Sequence, residues 1–303
     1  ILYAGYMLEN LNSHGFLWQC KNGLKYLHSM PESDFVKEAS IVLNDAISSQ
    51  KNSKYNTLIW SNEALFDRPS LIKKLVVELG PSHSYEVVAY VRRHDKWLES
   101  AYKQFSMYGK TYEGAIRPFK EWTKINKIGF SKSLDILASI ENIELSVRNV
   151  DGVENVVSDF YSLLNLIVNS KQTDNASISS EKMVLRALFA NEYFEKVGGN
   201  DYNEFMGRII SCQETAQSFL DKLLPDRDAL IKTSEQLRYD IDKTNIHLKN
   251  SNQQQISIED IVAKKNVVDE SKLLFALIEI VFIQGKKISS LEQKISELLY
   301  ENE

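Results

Sequence analysis

Glycine and proline are scarce, at 12 and 5 of 303 residues, against usual shares of about 7% and about 5%. That excludes collagen-like, linker-rich and turn-dense all-β chains. Cysteine is rarer still. Cys20 and Cys212 lie far apart and form no Cys-x-x-Cys spacing, so neither a disulfide framework nor a thiolate zinc site is expected, and a reducing, cytoplasmic setting fits. The most apolar run, LLFALIEIVFI over 273–283, includes Glu279 and has about half of the ~20 residues a bilayer span needs. Positive charge is not in excess either. Lys and Arg number 36 against 41 Asp and Glu, a net charge of −5, which argues against nucleic acid as a partner and leaves only a local basic cluster as an anion site. The five histidines (14, 28, 83, 94 and 247) show no His-Glu-x-x-His or other metal spacing, and no metal is expected. No Gly-x-Ser-x-Gly elbow occurs, so a hydrolase triad is unsupported.

What is present is an alternation of helical and β-like segments. Helical spacing is read over Tyr6–Asn12, Asp34–Ser48, Pro69–Leu79, Asp95–Tyr108 and Val153–Leu166. Short apolar runs separate them: Thr57–Trp60, Glu86–Val91 and Ile143–Val147. Strand and helix in alternation imply parallel pairing through right-handed crossovers, hence an α/β fold with a helix-covered parallel sheet. Ligands of such sheets bind at the carboxyl ends of the strands. The places to search are Ser61–Asp67, Arg92–Ser100 and Arg148–Asp151.

From about Ser179 the pattern is helical. The expected organisation is an α/β domain over 1–249, then a polar linker at Asn250–Gln255 and a C-terminal helix within 250–303. That helix carries Leu274, Leu277, Val281, Gln284, Ile288, Leu291, Ile295 and Leu298 at alternating spacings of three and four. Such a repeat predicts a coiled-coil-like helix able to join copies into a homo-oligomer.

The segment from Tyr90 to Gln104 carries the most chemistry. An apolar strand delivers Arg92 and Arg93 at its end, and Ser100 follows on the next helix. An arginine forks two donors onto a phosphate and keeps its charge at any working pH. Here the chain resembles the 3′-phosphoadenosine 5′-phosphosulfate (PAPS)-dependent sulfotransferase family, particularly its bacterial branch. In that family a strand ends in Arg, with Ser eight residues on and Tyr close behind, and Arg92, Ser100 and Tyr102 take those places. Gln104 matches a Tyr-x-Gln ending of bacterial members. Leu58-Ile59-Trp60-Ser61-Asn62-Glu63 looks like a strand ending in Ser-Ser-Glu, with Asn62 for one Ser. Leu145–Arg148 with Val156–Leu164, and Asn175–Ser179, resemble later segments in the same order. The resemblance covers roughly residues 1–245.

It implies a P-loop-type fold and transfer of a sulfuryl group from PAPS to a hydroxyl or amine of a glycan-like acceptor. Arg92 and Ser100 would bind the donor's 3′-phosphate, and Glu63 would act as general base. One element departs. The family begins with a strand and a Gly-Thr-Thr-like phosphate loop, and no such loop or GxxxxGK[ST] occurs here. By spacing it would end at or just before Ile1, which points to a missing N-terminus or else to a relative unable to hold the donor, and to impaired turnover in either case. The alternatives are a non-catalytic protein assembling through its C-terminal helix and another P-loop nucleotide-binding enzyme.

Overall fold

The computed structural model describes residues 1–49, 54–126, 128–167, 179–198, 215–259, 261–263 and 265–300. In chain order the strands are β1 (Leu2–Tyr3), β2 (Leu58–Ile59), β3 (Tyr85–Val91) and β4 (Ile143–Asn149). The helices are α1 (Leu24–Ser29), α2 (Glu32–Ser48), α3 (Pro69–Leu79), α4 (His94–Tyr102), α5 (Phe119–Ile125), α6 (Ser131–Ala138), α7 (Val156–Leu163), α8 (Ser180–Glu192), α9 (Ala216–Leu223), α10 (Arg227–Gln236), α11 (Arg238–Asn250) and α12 (Glu270–Tyr300). The protein is thus mixed α/β and mostly helical. Two compact units share the chain: Ile1–Val91 with Gly129–Gly152 and Tyr239–Ile256, and Arg92–Ile128 with Val153–Arg238 and Ser257–Glu303.

The first unit holds all four of the described strands. Where a single sheet is expected, the described strands form two parallel pairs, β1 with β2 and β3 with β4. The registers run Leu2 to Leu58 and Tyr85 to Ile143. Two-residue strands explain the small pairs: β2 meets Ser61, Asn62 and Glu63 almost at once, and these turn the chain away. Helix α2 starts after Pro31 with Glu32 and Asp34 in its first turn, where the helix dipole favours acids. It buries Phe35, Ala39, Val42, Leu43 and Ala46 on one face, against Trp18, Leu27, Leu71 and Leu75. Helix α3 begins with Pro69 and stops at Gly80, whose φ of 78° lies in the left-handed region that favours glycine.

Two expectations fail in this unit. Residues 6–12 form turns, not a helix, because Gly5 and Leu8 have φ of 90° and 58° and break helical winding. The polar stretch 250–255 is not a loose linker. The Ser251 hydroxyl accepts from the Val147 amide at 2.9 Å, the Gln253 side-chain oxygen accepts from the Asn149 amide at 3.5 Å, and the Asn149 amide group donates to the Gln254 carbonyl at 2.8 Å. Side-chain oxygens replace a third strand at the outer edge of β4 and protect it from pairing with another chain.

The second unit is helical. Leu98, Ala101 and Tyr102 of α4 pack with Phe119, Trp122, Val184, Phe189, Leu220 and Leu230. Tyr102 meets Phe119 edge to face at 5.5 Å. Helical winding over Asp95–Tyr108 holds only to Tyr102; Lys103–Tyr108 is a π-helical turn. Its wider winding carries Phe105 outward and Ser106 and Met107 inward. Among the described residues no helix is long and apolar enough to cross a membrane.

Candidate functional site

Within the first unit, the carboxyl ends of β1 and β2 are tied together. Past Tyr3 the chain turns at Gly5, and the backbone amides of Tyr6 and Met7 converge on the Glu9 carboxylate at 3.3 and 2.7 Å. Gly5 has a φ of 90°, in the left-handed region that favours glycine, and a Cβ there would also come within 2.6 Å of that carboxylate. From the β2 side, the Trp60 indole N–H and the Asn62 amide each donate to the Tyr6 carbonyl at 2.9 Å. Asn62 then caps the short 3₁₀ turn Glu63–Leu65 by accepting from the Ala64 amide at 3.0 Å.

The electrostatics follow from these contacts. Burial pushes the Glu9 carboxyl up, but the amides of Glu9, Met7 and Tyr6, with the charge of Lys21, outweigh it and hold the group below its ordinary value. Burial raises the Tyr6 phenol, and the Glu63 charge raises it further. Glu63, the expected base, is exposed at the first position of its turn. A strand-end turn presenting backbone amides to an anion is what a phosphate loop provides. Here the anion is the chain's own.

In the second unit, Arg92 directly follows the buried Val91 and is half-buried. Its neighbour Arg93 is committed elsewhere: Nε and Nη2 fork onto the two oxygens of the buried Asp95 at 2.7 and 2.9 Å. Glu99 pairs with Lys103 at 2.5 Å. Ser100 is exposed in the second turn of α4, about 9 Å along the axis from its first residue, so the positive end of the helix does not reach it. Tyr102 is fully buried. Its hydroxyl donates to the Arg117 carbonyl at 2.8 Å, and burial, then Tyr112, pushes its pKa up. That makes Tyr102 a core residue rather than a ligand contact. His94 is buried too. Of the segment 175–179, residues 175–178 lie outside the described residues, and Ser179 caps α8.

Sequence reasoning missed Glu9 and Lys110. Lys110 is almost fully buried, and its ammonium donates to the carbonyls of Gly114, at 2.5 Å, and Tyr193. Nothing in the local pattern marks either residue, because each is defined by backbone groups that carry no sequence code. Among the described residues no three His, Cys, Asp or Glu side chains gather as a metal would need. No protein-family model, no curated protein and no solved structure matches this chain.

Proposed function

We propose that the chain is a sulfotransferase-like protein of P-loop type, moving a sulfuryl group from PAPS to a hydroxyl or amine of a glycan-like acceptor. Arg92 and Ser100 bind the donor's 3′-phosphate, and Glu63 accepts the acceptor's proton. The observation that carries the reading is Arg92: a half-buried guanidinium placed at the end of a parallel strand, beside a second arginine already locked onto Asp95. The chemistry needs in-line attack with the leaving phosphate held by fixed donors, and no metal. The turn after β1 supplies few such donors, and Glu9 occupies those of Tyr6 and Met7. Turnover is therefore low while binding of the 3′-phosphate persists. Calorimetric titration with adenosine 3′,5′-bisphosphate and with ATP–Mg²⁺ tests this. Tighter binding of the bisphosphate supports the reading; preference for ATP–Mg²⁺, or no binding of either, rejects it.

A second reading, a non-catalytic protein that assembles through α12, is favoured by the apolar residues which that helix leaves exposed.

A further inference from the structure

Among the described residues, helix α12 packs against its own unit only near its start. Leu273, Ala276 and Ile280 join the core that includes α8. The heptad residues occupy another face. With Leu274 as position a, the a series continues through Val281, Ile288 and Ile295, and d holds Leu277, Gln284 and Leu291. The apolar members are 40% to 70% exposed, and among the described residues none belongs to a buried cluster. We infer that this seam closes on the same seam of a second copy, as a parallel two-stranded coiled coil.

Three features select that occupant. Over 286–297 the only apolar residues are Ile288, Leu291 and Ile295, the narrow a/d stripe of a coiled coil rather than the broader face that packs on a globular core. Val and Ile at a with Leu at d are the combination that favours two parallel strands. Charge then fixes partner and direction. In a parallel in-register pair, position g faces position e five residues later on the other copy, so Lys287 meets Glu292, twice by symmetry. An antiparallel pair in full overlap would instead set Lys287 against Lys287 of the other copy. Gln284, the one polar residue in the seam, faces its own counterpart and penalises slipped registers.

Analytical ultracentrifugation of the full chain over a hundredfold concentration range should give twice the chain mass. Ile288→Asp, at an exposed position, should give a monomer with an unchanged unfolding midpoint for the core. Leu274→Cys, in a chain with Cys20→Ser and Cys212→Ser, should cross-link copies on mild oxidation. In an antiparallel pair those positions would stand about 36 Å apart. A monomer at every concentration, a dimer that survives Ile288→Asp, or a dimer that never cross-links through position 274 overturns the proposal.

Discussion

The Glu9 carboxylate lies 2.7 Å from the Met7 amide, inside the turn that leaves β1. A side chain two residues away thus supplies the anion that this strand-end turn is shaped to hold. Glu9→Ala releases the two amides and should destabilise the protein by about 1–3 kcal/mol, the usual penalty for buried donors left without an acceptor. Urea unfolding measures it.

The pH dependence of that contact has a definite sign. The folded pKa of Glu9 lies below its unfolded value near 4.5. Its stabilisation is complete above the unfolded value and is lost as pH falls through the folded one. Acid unfolding of the native chain should therefore be steeper below pH 4.5 than that of Glu9→Ala. Superimposable acid limbs would contradict the contact.

Lys110 gives a slope of the same sign, in the alkaline range. Burial lowers its pKa below 10.5, so the unfolded chain binds more protons in that window, and stability rises as pH climbs through the folded value. Lys110→Met removes this slope and leaves two carbonyls without their donor, a loss of about 1–3 kcal/mol at neutral pH. Thermal unfolding at neutral and alkaline pH checks both effects.

Ser251 and Gln253 seal the edge of β4. Replacing both with Ala should destabilise the protein by about 1–2 kcal/mol and speed amide exchange at Val147 and Asn149. Unchanged exchange at these two positions would mean that the edge is protected by something else.

Sequence legibility varied with how local the cause was. Helix α3 was readable from end to end, since Pro69 starts it and Gly80-Pro81 stops it. The parallel direction of β3 and β4 followed from the helix between them. The turn at 4–10 was not readable, because a non-glycine residue, Leu8, adopts a left-handed φ and a later carboxylate organises the preceding amides. Residues 250–255 misled for a related reason: Asn, Gln and Ser compose linkers, yet the same side chains imitate a strand's acceptors. At the candidate site, the commitment of Arg93 to Asp95 agrees with an ion pair between neighbours. The burial of Tyr102 does not suit a ligand contact, because helical spacing alone could not show which way α4 turns its aromatic face.

The most direct measurement is binding of adenosine 3′,5′-bisphosphate by the full chain, compared with Arg92→Ala and Arg93→Ala. Loss of a charge-assisted contact worth about 1.5–3 kcal/mol predicts roughly a 10- to 150-fold weakening for Arg92→Ala. Arg93→Ala should keep most of the affinity if its fold is retained. Equal affinity in the native chain and Arg92→Ala would contradict the account.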